Sequence, residues 1–318
     1  MHYGFNLPSR GPLCRPEPLR DIALKGEALG YTYLTVPDHL VIPDTIAPNY
    51  PYSDNGEFVS NVAGECLEQL TQIAYLAGMT SKVKFLTSVM VVPHRMPVHN
   101  AKTISTIDFL SGGRIVIGVG AGWMEEEFNA VGTPPFKERG KVTDEYIAAM
   151  KALWTEDNPS FSGEYVSFSG INFAPKPVQK PHPPIWVGGE SGPALRRVVR
   201  HGDAWFPIGR NPKFPMGTAA RLGAGWSRVK QLAEEAGRDP GSIELGYWTG
   251  TVSAGVEELD DEGNRRLLTG SVSQIVDDIG AMRDLGMKHV LLNHQRDSLA
   301  ETLEAIEQFM TDVASKVS

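Results

Sequence analysis

The sequence predicts a single (β/α)8 TIM barrel over residues 1–318, with insertion loops, on three observations. Strand-like and helix-like segments alternate from end to end, the pattern of a parallel sheet joined by crossover helices. Eight such pairs fit this length as one closed barrel. Several of the strands are uninterrupted apolar runs, as strands buried on both faces require. An open doubly wound sheet is the alternative arrangement of the same pattern.

The elements follow in order. HYGFNL (2–7) reads as the first strand, with a helix from Pro16 to Leu29 after it. YTYLTVPDH (31–39) is the second strand, followed by a long polar loop to Asn61 and a helix over 64–78. KFLTSVMVV (84–92) is the third, with helix 97–110. GRIVIGVGA (113–121) is the fourth; it runs into WMEEEF and a long helix from Glu138 to Trp154. A polar stretch beginning SGEYVSFSG fits a small surface hairpin. PPIWVGG (183–189) with helix 193–201, DAWFPI (203–208) with helix 218–236, and IELGYWTG (243–250) with helix 271–285 continue the alternation. HVLLNH (289–294) and helix 298–314 complete it. The loops Leu40–Asn61, Glu156–Pro183 and Ala254–Gly270 are long for a compact fold, and long loops often carry function.

The bulk properties narrow the function. A net charge of −8 argues against a nucleic-acid partner, which needs a basic face. No apolar run approaches the ~20 residues of a membrane helix. MHYGFNLPSRG lacks the basic and apolar regions of a signal peptide, so a cytoplasmic location is expected. Cys14 and Cys66 form no metal-type pair, and nothing in their spacing points to a disulfide. His94 and His99 are too far apart for one helical face, and no H-E-x-x-H occurs, so no metal site is expected. Both histidines read as polar loop residues, His99 as one that can pack. Arg210 and Lys213 read as a solvated basic loop.

In a barrel, chemistry sits where strands end and helices begin. The second strand ends in Pro37-Asp38-His39. His39 can carry protons near neutral pH, and Asp38 can orient it or bind a donor; the plainer reading is a turn. In the third strand, Thr87-Ser88-Val89 either satisfies its hydroxyls locally or forms a bulge under a flat ligand. On the fourth, parity puts Ile115, Ile117 and Val119 on one face and Val116, Gly118, Gly120 and Gly122 on the other. A face that loses its side chains toward the carboxyl end makes a shelf that a planar ring can approach. G-V-G-A-G-W fails the dinucleotide pattern G-x-G-x-x-G at Trp123. Glu125 and Glu127 fit capping and solvation of the short helix that follows. At the fifth strand, Gly188-Gly189-Glu190-Ser191-Gly192-Pro193 leads into a helix whose free N–H groups suit a phosphate; a plain Ser191 cap has the same geometry. Pro193 also breaks the serine-hydrolase pattern G-x-S-x-G.

These patches, in this order, resemble the bacterial luciferase-like flavin and deazaflavin oxidoreductases over nearly the whole chain. The most specific segment is LSGGRIVIGVGAGWMEEEFNAVG (110–132), followed by Arg139, Lys141 and DEYIAAMKALW (144–154). PKPVQKPHPPIWVGGESGPALRRVVRHGDAWFP (175–207), and PDH at 37–39 with YPYSDNGEF at 51–58, add two further anchors. Together they look like the coenzyme F420-dependent branch. The resemblance implies a ring lying across the strand ends, with Asp38 and His39 near its polar edge. It implies a non-prolyl cis peptide at Ser88-Val89 behind the ring. Gly120, Ala121, Gly122 and Glu126 then border the cofactor, and Gly189, Glu190 and Ser191 its phosphate. Sugar-phosphate dehydrogenases of this branch carry Glu at the Trp123 position, Trp at Pro43 and Asn at Glu126. The substrate side therefore reads as apolar, with Trp123, Met124 and the Tyr50–Phe58 loop over an aromatic or hydrophobic molecule.

The implied activity is hydride transfer between coenzyme F420 and a small unsaturated organic substrate, with His39 as the catalytic group. An FMN-dependent monooxygenase using O2 and a non-catalytic flavin-binding protein are the alternatives; a pocket plugged by the 40–61 loop would favour the latter. No metal is implied, and a homodimer is the family expectation.

Overall fold

The computed structural model describes residues 1–58, 65–250 and 252–317. Their centre is a closed barrel of eight parallel strands. β1 (His2–Asn6) pairs with β2 (Tyr33–Val36) on one side and β8 (Met287–Leu292) on the other. β3 comes in two halves, Lys84–Thr87 and Met90–Val91, and both pair with β4 (Ile115–Gly120). β5 (Ile185–Val187), β6 (Ala204–Trp205) and β7 (Glu244–Trp248) close the ring back to β8. The open doubly wound alternative is thereby excluded.

The helices α1 (Pro16–Ala28), α2 (Gln69–Ala77), α3 (Pro97–Ser111), α4 (Glu125–Val131), α5 (Arg139–Thr155), α6 (Gly192–His201), α7 (Ala219–Glu235), α8 (Val272–Asp284) and α9 (Leu299–Gln308) connect or follow the strands. Their starts are legible chemistry. Ser191, Thr218, Ser271 and Ser298 cap α6, α7, α8 and α9 through their hydroxyls, and Pro lies in the first turn of α1, α3 and α6. No helix among the described residues is long and apolar enough to cross a membrane.

Two apolar layers result from strand parity. Ile115, Ile117 and Val119 pack outward against the helices, in one core with Leu153 and Trp154. Val116 points inward and joins Tyr33, Leu86, Trp186, Phe206 and Leu291 as the barrel's plug. Each such fully buried side chain contributes ~1.5–3 kcal/mol relative to exposure. The plug fills the barrel, so function is displaced to its rim.

Several expected segments are shorter than their apolar runs. The second strand ends at Val36 and the sixth at Trp205, because each runs into a loop that contains a proline, Pro37 or Pro207. α2 begins at Gln69 rather than near 64: residues 65–68 carry no helix, and Glu68 accepts from Thr71 N as the cap. The hairpin within 156–183 is present as Phe161–Ser162 against Ser167–Phe168. After Gln308 the last helix widens into a π turn and then tightens, rather than continuing as α-helix to 314. Residues 59–61 of the expected long loop lie outside the described residues.

Candidate active site

A cleft of about 930 Å3 opens at the carboxyl ends of the strands. Among the positions singled out above, Asp38, His39, Ser88, Val89, Gly120, Ala121, Gly122, Trp123, Met124, Gly189, Glu190 and Ser191 all line it. Glu126 does not line it: its carboxylate accepts from Ala47 N, 2.9 Å away, and ties the loop after β2 to α4.

The floor departs from the expected bare shelf. The Ser88–Val89 peptide is cis and separates the two halves of β3. A side chain at Gly118 would stand 1.9 Å from the Thr87 carbonyl oxygen, and one at Gly120 would stand 2.6 Å from Val89 Cγ2. Gly188, on the neighbouring strand end, leaves the same room for Val89 Cγ1 at 2.9 Å. The glycines therefore admit the bulge of the adjacent strand, and Val89 seated between two of them faces the cleft. Thr87 Oγ1 donates to the Gly118 carbonyl, so its hydroxyl is satisfied locally.

Asp38 and His39 are adjacent, but they serve different partners. Asp38 is buried and takes a bidentate bond from Arg95 at 2.8 Å for both contacts, plus Val91 N at 2.8 Å. Arg95 also bonds Glu68 at 2.6 Å. Of the two roles open to Asp38, it binds donors rather than orienting His39: its carboxylate accepts from Val91 N in β3 and from Arg95 just after it. His39 is oriented instead by Glu127, whose Oε2 lies 2.9 Å from His39 Nδ1. Glu127 Oε1 accepts from Leu40 N at 2.7 Å and Val41 N at 3.3 Å.

Glu127 thus corrects the reading of WMEEEF as capping and solvation. Glu125 is exposed, whereas Glu127 is almost fully buried. Burial pushes the Glu127 carboxyl up, but the His39 bond, the charges of His39 and His94 and the Leu40 N–H outweigh it and hold it below the usual range. His94 is buried against Phe128 with Nδ1 3.9 Å from Glu127 and neither ring nitrogen hydrogen-bonded; burial holds its pKa down. His99 is exposed on α3. The two histidines reverse the expected roles of loop residue and packed residue, since His94 follows β3 at the cleft and His99 starts a helix.

Aromatic rings form one lip. Trp123 meets Tyr50 at 5.0 Å and Phe58 at 5.3 Å, Tyr50 meets Tyr52 at 5.6 Å, and Phe58 meets His39 at 5.4 Å. The described part of the loop after β2 thereby borders the cleft without filling it. Met124 is buried beneath this lip. Arg10 lines the cleft and stacks on Phe58, and its Nη1 is buried with no hydrogen-bond partner among the described residues.

At the opposite end, Gly189 has a left-handed φ of 96°, and Ser191 caps α6 through Ala194 N at 3.4 Å. The Glu190 carboxylate turns away from a ligand role: it accepts from Ile208 N at 2.8 Å and Asn211 Nδ2 at 2.7 Å. Burial holds its pKa up. Lys137, Arg139 and Arg296 also line the cleft. Arg210 pairs with Glu258 on an exposed loop.

Sequence reasoning missed Glu127 and Arg95 as site-builders. Their partners lie 88 and 57 residues away, so no local spacing marks them. Nothing among the described residues groups three or more metal-ligating side chains.

Comparisons with known proteins agree with this architecture. The uncharacterized protein Rv0940c of Mycobacterium tuberculosis is 32% identical over 250 residues, covering 78% of this chain and 83% of its own. The FMNH(2)-dependent dimethylsulfone monooxygenase of Pseudomonas putida is 29% identical over 265 residues, covering 70% and 72%. The coenzyme F420-dependent tetrahydromethanopterin reductase from Methanopyrus kandleri shares the fold with a TM-score of 0.76 at 15% identity, over 100% of this chain and 99% of that one. The model of the luciferase-like monooxygenase family matches residues 1–259. The closed barrel with its rim cleft is accordingly that of an oxidoreductase superfamily, and the chain belongs to the luciferase-like monooxygenase family.

Proposed function

We propose that the protein is a coenzyme F420-dependent oxidoreductase that moves a hydride between the deazaflavin and a small apolar or aromatic substrate. The observation that carries the substrate side is the lip of Tyr50, Phe58 and Trp123 beside His39. A ring or hydrocarbon in such a lip buries apolar area against aromatic faces. The observation that favours the cofactor is the set of cations around the cleft: Arg10, Lys137, Arg139 and Arg296, together with the α6 N-terminus. That donor set suits a ligand bearing a phosphate and further negative charges.

The bound cofactor supplies the hydride chemistry. The chain's own residues do the rest. Val89 would back the cofactor ring. The Arg10 guanidinium and the Gly189–Ser191 turn would offer donors to its polar groups. His39, held at Nδ1, offers Nε2 to give or take the proton that accompanies hydride transfer. A reduced-FMN-dependent monooxygenase is the second reading, favoured by the likeness to the dimethylsulfone enzyme.

Equilibrium binding of FMN and of coenzyme F420 to the apo-protein separates the two. Tighter F420 binding with oxygen-independent turnover supports the first reading. Tight FMN binding with oxygen-dependent turnover overturns it. Stopped-flow oxidation of the reduced cofactor by His39→Ala tests the histidine: an unchanged rate and pH profile would remove it from the chemistry.

A further inference from the structure

We propose that Glu127 is the positioning residue for His39: its buried carboxylate fixes the tautomer of the ring and the backbone that carries it, so that Nε2 is the nitrogen left free in a residue that lines the cleft. The inference deepens the reading of His39 as the proton-handling group and rests on it.

An ionised carboxylate only accepts hydrogen bonds, so the 2.9 Å contact places a hydrogen on His39 Nδ1. In the neutral ring the bare nitrogen is then Nε2, the nitrogen that Glu127 does not hold, in a residue that lines the cleft. The other oxygen of the same carboxylate holds Leu40 N and Val41 N, the two amides directly after His39. One side chain therefore fixes both the ring and its backbone. Fixation needs a rigid anchor, and Glu127 has one: it sits on α4, buried beside Phe128, whose ring packs on His94 and Phe136.

The carboxylate is also kept ionised by its surroundings rather than by His39 alone. From β2, Asp38 is neutralised by Arg95, which also meets Glu68 before α2. After β3, His94 stands 3.9 Å from Oε1 without a hydrogen bond of its own. Cys66 donates to the His39 carbonyl at 3.5 Å, and its thiol is pushed up by burial and by Glu127. Arg10 lies beyond Phe58, the ring that packs on His39. Among the described carboxylates, Glu127 is the one that bonds the His39 ring.

The test is nitrogen-15 NMR of the histidine-labelled apo-chain, whose eight histidines are few enough to resolve, with His39→Gln assigning the signal. The neutral wild-type ring is expected as the Nδ1–H tautomer, with Nε2 unprotonated. Glu127→Gln is expected to abolish that preference, with Glu127→Asp restoring part of it. In reduced-cofactor oxidation, Glu127→Gln should slow hydride transfer about 10–100-fold, the usual cost of removing an outer partner of a working histidine, while cofactor affinity stays unchanged. A wild-type Nε2–H tautomer, or an unchanged tautomer in Glu127→Gln, overturns the positioning role. If His39→Gln leaves hydride transfer intact while the NMR result holds, the assignment of His39 to the chemistry fails and the positioning by Glu127 stands.

Discussion

Two histidine–glutamate pairs occupy opposite ends of the barrel, and their exposure is inverted. At the carboxyl end, the His39–Glu127 pair leaves the imidazole 16% exposed over a carboxylate that is 2% exposed. At the amino end, the His289–Glu244 pair has nearly the same separation, 2.8 Å, but the imidazole is 4% exposed and the carboxylate 38%. His289 is packed among His2, Tyr33 and Trp186, while Glu244 reaches solvent and Lys288. The same two side chains at the same distance thus do different work. Burying the carboxylate offers a histidine to a ligand; burying the histidine closes a barrel floor. A barrel's amino end supports stability and its carboxyl end chemistry, and here the contrast is written in which partner is sealed.

The largest test breaks the sealed side at the carboxyl end. Arg95→Met leaves Asp38 buried with no cation, at a cost of about 3–5 kcal/mol. Urea unfolding checks it, and a loss below ~1 kcal/mol would show that Asp38 does not depend on Arg95.

Acidification comes next. Burial lowers the pKa of His294 to about 3 and of His201 to about 4. Both bind protons more readily when unfolded, so the stability they contribute is complete above about pH 6.5 and is lost as pH falls toward those values. The loss between pH 7 and pH 4 is expected to be on the order of 3 kcal/mol for each of the two histidines. Glu244, held at about 2 chiefly by the His289 bond, adds a loss only below the ordinary carboxylate range. Urea unfolding at pH 7, 5.5 and 4 should therefore show the decline already at 5.5, and His294→Gln should flatten it. A decline confined to pH below 4.5 would assign it to carboxylates instead.

A smaller effect comes from the floor. Gly118→Ala drives a methyl group against the Thr87 carbonyl and should cost about 1–3 kcal/mol. Gly280→Ala, in α8 with nothing within 4 Å of the new carbon, should stabilise by about 0.5–1 kcal/mol. Equal melting shifts for the two would deny the close approach at Gly118. The smallest effect belongs to the amino-end pair. Glu244→Gln removes a solvent-screened partner, so it should cost less than about 1 kcal/mol and leave cofactor affinity unchanged. A weakened affinity there would erase the functional contrast between the two ends.

The barrel was legible because its signals are local. Alternating segments, helix caps at Ser191, Thr218, Ser271 and Ser298, and the inward parity of Val116 can each be read within a few residues. The site was legible as a set of positions: every expected cofactor or substrate position except Glu126 lines the cleft. The wiring was not. Three consecutive glutamates look alike in sequence, and which one is buried depends on His39 in the loop after β2. The break in β3 was visible through the resemblance, which implied the cis peptide at Ser88-Val89, whereas the residues of KFLTSVMVV left a bulge as one alternative because none of them forbids a strand. The glycines of β4 were read as empty space, and only the neighbouring strand reveals what enters it.

Val89 rests on Gly120 and Gly188 as a shim rests between two flat plates. The depth of the cleft at that point is set by one side chain that holds no hydrogen bond through its atoms. Shortening it to Ala, or lengthening it to Ile, changes that depth at a position apart from the Asp38–Arg95 and His39–Glu127 contacts. That makes position 89 a tuning screw for cleft depth, mechanically separate from the groups that handle charge.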